Sequence, residues 1–301
     1  MPLWKEKIKP GLLRNLEWLC LALLTGLFLF TLGGNNLRVF GVLQRIALAF
    51  GIGAFVCLLF KGKALLIVLA TLLIGYYLIM IGFGDLTLIG NFQRTVDLAI
   101  LGEAHVYQGY SDAAGKTVPF DPEGILSTIP SVGNVIIGFL TGQLIDQNKD
   151  KKEVVSKLFI YGFPLMVVAY LWNPFFPINK PIWSSSYVLL TCGLGMVLLG
   201  CLIYIMDIKK YIKWAKPFIV FGLNPLFIYA LSSISVKILF WIKTLDENGE
   251  AVSAYRSLYD NVFAGLMGNN EFASFAFALF YVFLHWIVAY VMYDKKVFIK
   301  V

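Results

Sequence analysis

Eight apolar stretches, with lysine and arginine gathered in every second connection between them, limit what this chain can fold into. The stretches lie near residues 12–32, 39–60, 64–82, 124–145, 158–173, 184–206, 217–236 and 272–293. About 20 apolar residues in helical form cross the ~30 Å hydrocarbon core of a bilayer, and most of the stretches reach that length. The one at 158–173 is short and needs its polar flanks, with Tyr161 and Trp172 at the interfaces. Most of the 25 lysines and arginines fall in five places: the N-terminal segment (Lys5, Lys7, Lys9, Arg14), the 61–63 turn, the 146–157 loop, the 207–216 loop and the tail (Lys295, Lys296, Lys300). The alternate connections are much longer, yet they hold only Arg38, Arg94, Lys116, Lys180, Lys237, Lys243 and Arg256. Cation-rich loops stay cytoplasmic. The pattern therefore predicts an all-α, polytopic membrane helix bundle of eight spans with both termini in the cytoplasm.

Composition agrees. Hydrophobic residues make up 59% of the chain and charged residues 14%, which excludes an ordinary soluble domain. The net charge of +7 is mostly the cytoplasmic excess, so it reads as topology and contact with anionic membrane lipid, not as nucleic-acid binding. Cys20, Cys57, Cys192 and Cys201 all fall within spans, which implies no disulfide framework. The first stretch is long and lacks a good cleavage site, so it reads as a retained helix. Without repeats or an appended domain, residues 1–301 read as a single integral membrane domain with two long outer loops, 83–123 and 237–271. Loops of that length are often functional.

Polar residues in and above the membrane mark the places to search. The 83–123 loop carries Asp85, Asp97, Glu103, Asp112, Asp121 and Glu123 beside His105 and several aromatics. Carboxylates with ring faces suit a sugar or a cation; a solvated acidic loop anchored by interfacial aromatics is the alternative. Residues 91–98 have the form of a short interfacial helix capped by Asn91. His105 is the only histidine outside the spans and is a candidate general base. Asp121-Pro122-Glu123-Gly124 reads as a helix start, with Asp121 as cap. In the helix that follows, Ser127, Ser131, Asn134, Gly138 and Gly142 recur at spacings of three and four, so they share a face that either packs closely or lines a wet passage. Gln44 and Arg45 lie in the outer half of the second span, where a charge is functional by default. Arg45 is expected to answer Asp97, Glu103, Asp121, Glu123 or an anionic ligand. Asn224-Pro225 breaks the seventh span and is expected to leave the carbonyl of Phe221 free in the membrane. His285, with Tyr281 one turn earlier, lies deep in the eighth span.

In their order these blocks resemble a known family. They are Gly41-Val42-Leu43-Gln44-Arg45, Asn91-Phe92 with Asp97, Gly102-Glu103-Ala104-His105-Val106-Tyr107, Asp121-Pro122-Glu123-Gly124, Lys180-Pro181-Ile182-Trp183-Ser184, Gly222-Leu223-Asn224-Pro225 and Lys295-Lys296-Val297-Phe298. The resemblance is to the transmembrane acetyltransferases typified by heparan-alpha-glucosaminide N-acetyltransferase, in the form of a bacterial relative. It implies a multi-pass protein of the cell membrane, here a bacterial inner membrane. It also implies cytoplasmic acetyl-CoA as acyl donor, no metal, and an amino sugar or glycan on the outer side as acceptor. Asp97, Glu103, His105, Asp121, Glu123 and Arg45 would then bind the acceptor, and Gln44, Ser127, Ser131, Asn134 and Asn224 would line the acyl path. The family's active-site histidine, carried in helices that precede those resembled here, has no match in this sequence. The resemblance therefore implies transfer that this chain alone does not complete: either the chain is a fragment or truncated frame, or a partner or homo-oligomer completes it, or it is not an acetyltransferase. His105 matches a different family position and positions substrate. A non-enzymatic carrier, or an assembly partner in a sugar-processing system, is the alternative reading.

Overall fold

A computed structural model describes residues 37–246 and 249–299; the first apolar stretch lies outside them. The described chain is nearly all helix. Among the described residues, six helices are long and apolar enough to cross a membrane, with a seventh where a pair of helices bent at a break counts as one span. The protein is thus a multi-pass membrane protein, and each described span falls on a stretch read from the sequence. The short stretch at 158–173 is extended by a polar first turn into a helix over Lys151–Trp172. The described residues divide into two compact units, the first ending at Tyr211 and the second beginning at Ile212.

In the first unit the spans are α1 (Val42–Leu59), α2 (Lys63–Phe83), α4 (Thr128–Gln147), α5 (Lys151–Trp172) and α6 (Ser185–Leu202). A π-helical turn carries α6 on to Ile208. Between α2 and α4 lies the short amphipathic helix α3 (Phe92–Leu101), capped by the Asn91 side chain, which accepts from the backbone N–H of Arg94. A two-stranded hairpin, β1 (Tyr110–Ser111) with β2 (Thr117–Val118), follows it. The long loop is therefore folded.

Small residues bring the helices together. A Cβ built on Gly193 of α6 falls 2.7 Å from the carbonyl oxygen of Gly162 on α5, so only glycine permits this backbone approach. The core between α2, α4, α5 and α6 is apolar, built on Leu73, Ile137, Leu158, Val188 and Met196. Near the α3 end, Tyr76, Met80, Phe120, Phe176 and Ile182 form a second buried cluster that fixes the loop onto the spans.

The second unit begins with the bent pair. Its halves, Lys213–Gly222 and Pro225–Trp241, meet at 71°. Their α-helical parts are α7 (Lys216–Gly222) and α8 (Pro225–Trp241). A short hairpin, β3 (Lys243–Leu245) with β4 (Ala251–Ser253), is followed by α9 (Ala254–Leu258) and the last span, α10 (Glu271–Asp294). The carbonyl of Phe221 is not left free by Pro225, contrary to expectation. The backbone N–H of Asn224 reaches it at 3.3 Å, closing a tight turn where the helix breaks.

Candidate functional site

The polar residues of the first unit converge on one segment, 121–127. It was expected to start a helix with Asp121 as cap, but α4 begins only at Thr128. The reason is that side chains from three other elements grip the segment. The Arg38 guanidinium donates to both Asp121 oxygens, at 2.9 and 2.6 Å, and to Glu123 at 2.5 Å. Gln93 on α3 donates to the Asp121 carbonyl at 2.6 Å. Asp97, one turn further along α3, accepts from the backbone N–H of Ile125 at 2.8 Å. Arg45 on α1 donates to the Pro122 carbonyl at 2.6 Å and to the Ser127 hydroxyl. The Asp121 carboxylate also accepts from the backbone N–H groups of Tyr107 and Glu123, so it organises the turn from within.

Arg38, not Arg45, is therefore the cation that meets the carboxylates. Burial works against its charge, but the hydrogen bonds and charges of Asp121 and Glu123 outweigh burial and hold its pKa above the ordinary value. Its guanidinium also lies 4.7 Å from the centre of the Tyr107 ring. Arg38 carries no local sign of this role, because it lies outside the spans, where a cation needs no explanation.

Arg45 is only 4% exposed and makes no ion pair among the described residues. Its Nη2 holds the 121–127 segment, while Nε and Nη1 have no hydrogen-bond partner among the described residues. The guanidinium carbon lies 4.7 Å from the centre of the Trp183 ring. Trp183 has a positive φ of 49°, a region bulky residues rarely enter. That backbone sets the indole against Arg45 while its N–H donates to Asn134 at 2.9 Å. Next to Arg45 in sequence, Gln44 is 3% exposed, and neither end of its amide is partnered among the described residues. Asp97 is 1% exposed with one oxygen, Oδ2, unpartnered. Burial pushes its carboxyl up to about 7; the Ile125 amide opposes this, the Asp121 charge adds to it and the Arg45 charge opposes it. Buried polar atoms are nearly always hydrogen-bonded, and leaving one bare costs about 1–3 kcal/mol. Five such atoms, donors and acceptors together, stand bare on these three buried residues.

The other expected site residues separate from this set. Glu103 and His105 sit in an exposed turn; the His105 Nδ1 lies 2.7 Å from the Leu37 carbonyl oxygen, and neither side chain joins the buried group. Ser131 is buried but donates to the Thr128 carbonyl at 2.6 Å. Asn134 donates to Thr191 and Cys192 on α6 and accepts from Trp183. Both residues of the small-residue face are thus spent on packing, while Gly138 further along is exposed.

In the second unit the Asn224 amide is fully engaged: it donates to the Val297 carbonyl at 3.1 Å and accepts from the Ile299 N–H at 2.7 Å. It pins the tail and offers no free polar atom. His285 accepts or donates at 3.1 Å with Ser235 of α8, and its Nδ1 meets the Tyr281 carbonyl at 2.8 Å. Tyr281 and Ser235 also bond through their hydroxyls, so the cluster ties α8 to α10. Among the described residues, no group of histidine, cysteine and carboxylate side chains could hold a metal ion.

No family model matches the chain. Two curated proteins do. Heparan-alpha-glucosaminide N-acetyltransferase of Mus musculus is 28% identical over 236 residues, covering 73% of this chain and 32% of the relative. That of Homo sapiens is 26% identical over 223 residues, covering 70% and 30%. The chain spans about a third of the length of these relatives. Carried across most of this chain, the likeness makes it a distant relative of the heparan-alpha-glucosaminide N-acetyltransferase family.

Proposed function

We propose that this chain transfers acetyl from acetyl-CoA, supplied on the lysine-rich cytoplasmic side, to the amine of an amino sugar or glycan on the other side of the membrane. The observation that carries the reading is the buried, unpartnered set Gln44, Arg45 and Asp97 in a relative of N-acetyltransferases. In this reaction an amine nitrogen attacks the thioester carbonyl carbon. The C–N bond forms, the C–S bond breaks, and the nitrogen sheds a proton. Arg45 Nε and Nη1 and the Gln44 amide N–H are donors for the oxygen on which negative charge grows. Asp97 Oδ2 is the acceptor for the proton, since a carboxyl poised near neutral pH suits that exchange. The CoA thiolate leaves. Asp97 supplies a proton acceptor within the described residues, so this reading departs from the expectation that the chain alone does not complete transfer; His105 stays outside the chemistry.

Membranes carrying the chain, given labelled acetyl-CoA and glucosamine, should form N-acetylglucosamine. Arg45→Ala should reduce formation about 100-fold or more, the scale of losing an oxyanion donor. Formation equal to that of membranes without the chain, or unchanged in Arg45→Ala, would contradict the proposal.

A further inference from the structure

The His285 cluster of the second unit has a fixed order of protons. Tyr281 and His285 stand one turn apart on α10 and share the face that meets Ser235 of α8. Their ring centres are 4.6 Å apart, so the imidazole is held in place. The Tyr281 carbonyl, 2.8 Å from Nδ1, can only accept. In the neutral ring Nδ1 therefore carries the N–H and Nε2 keeps its lone pair. The Ser235 hydroxyl lies 3.1 Å from Nε2, and nothing else among the described residues bonds there. His285 is buried, and a buried acceptor is nearly always partnered, so Ser235 donates to it. With that proton spent, the Tyr281 hydroxyl is the donor in its own bond to Ser235 Oγ.

Packing alone does not ask for this. A serine inside a helix ordinarily donates back to a carbonyl of its own helix. Ser232 and Ser233 do so, both to the Tyr229 carbonyl, at 2.8 and 3.1 Å. Ser235 has the same choice in the Ser232 carbonyl at 3.0 Å, yet it also faces the one free lone pair of His285. A hydroxyl beside a base whose far nitrogen is held by a third group is the arrangement that activates a serine. Ser235 is half-buried and not sealed. His285 lies nearer the Asp294 end of α10, which Lys295 and Lys296 follow on the cytoplasmic side.

We infer that Ser235 is a nucleophile for acyl thioesters, with His285 as its base and the Tyr281 carbonyl as the group that orients the base. Ser235 Oγ attacks the thioester carbonyl carbon of acetyl-CoA. The C–O bond forms and the C–S bond breaks. The hydroxyl proton passes to His285 Nε2 and from there to the leaving sulfur. The acetyl group stays on Oγ as an ester. Water then attacks the same carbon, the bond to Oγ breaks, and His285 carries one proton of that water back to Oγ, releasing acetate. No sugar takes part, and no residue of the first unit is needed. A neutral carbonyl stabilises the imidazolium less than a carboxylate does, so turnover is slow and the ester itself is what to detect. The inference rests on the proposed function only for the identity of the donor.

The test incubates the purified chain in lipid nanodiscs with labelled acetyl-CoA and no sugar, quenches in acid and maps the label by peptide mass spectrometry. Acetyl should be found on Ser235. His285→Gln, which keeps a hydrogen-bonding side chain but no base, should lower it about 100-fold or more. Ser233→Ala, whose hydroxyl serves only its own helix, should label as the wild type does. Ser235→Cys should hold the acetyl as a thioester that neutral hydroxylamine releases, which a hydroxyl kept for packing would not do. Wild-type chain without acetyl on Ser235 overturns the inference, whether or not any variant folds. So does equal labelling of Ser235 in folded His285→Gln. Acetyl on Ser235 with no N-acetylated sugar when glucosamine is added strikes only the transferase proposal. Sugar acetylation with no ester on Ser235 strikes only this one.

Discussion

At the scale of single residues, the site is a division of labour between two arginines that look alike in sequence. Arg38 neutralises Asp121 and Glu123 and builds the turn; Arg45 holds the turn by one nitrogen and keeps two bare. Removing them should therefore have different effects. Arg38→Ala leaves the fully buried Asp121 carboxylate without its cation, and breaking a buried pair costs about 3–5 kcal/mol. The chain should lose thermal stability sharply, and a midpoint within a degree of the wild type would refute the structural role given to Arg38. Asp97 predicts a pH dependence. Its folded pKa is raised from 3.8 to about 7, so the folded state favours the protonated form. The stability this contributes is complete below the ordinary value and is lost as pH rises through about 7. Between pH 5 and pH 8 the wild type should lose more stability than Asp97→Asn, which does not titrate. Over the same range transfer by the wild type should rise as Asp97 ionises, and transfer by Asp97→Asn should stay low and flat. Identical pH profiles for the two proteins would remove Asp97 from its assigned place. That Arg45 and Asp97 matter was legible, since a charge in a span and an acidic loop both ask for an explanation. Arg38 was not legible, because its importance lies in what it touches 83 and 85 residues away.

At the scale of elements, the spans were readable because a membrane leaves the backbone few choices, and length with hydropathy decides them. Boundaries set by tertiary contact were not. Asp121-Pro122-Glu123 has the local chemistry of a helix start, yet the grip of Gln93, Asp97, Arg38 and Arg45 holds it as a turn and delays α4 to Thr128. Trp183 likewise carries no local sign of its positive φ, which positions it between Arg45 and Asn134. The α5–α6 pair depends on glycine at its point of closest approach. Gly193→Ala sets a methyl carbon 2.7 Å from the Gly162 carbonyl oxygen, so the helices must separate. Overpacking of this kind costs about 1–3 kcal/mol. Gly195→Ala, where a Cβ meets nothing, is the control. Equal thermal midpoints for the two variants would show that the contact does not limit packing.

At the scale of the whole molecule, the unequal distribution of lysine and arginine assigns sides to the membrane, and the proposed reaction needs those sides. Reporter fusions after Lys116 and after Lys151, which flank α4, should report opposite compartments, with Lys151 cytoplasmic. Signals from the same side would break the topology on which the donor and acceptor sides rest. The most direct test of the central claim joins sidedness to chemistry. Proteoliposomes of one orientation receive acetyl-CoA only on the lysine-rich side and an amino sugar only on the other. N-acetylated sugar should be confined to the acceptor side and should fall about 100-fold or more in Arg45→Ala. Product on the acetyl-CoA side, or product that does not depend on Arg45, would contradict it.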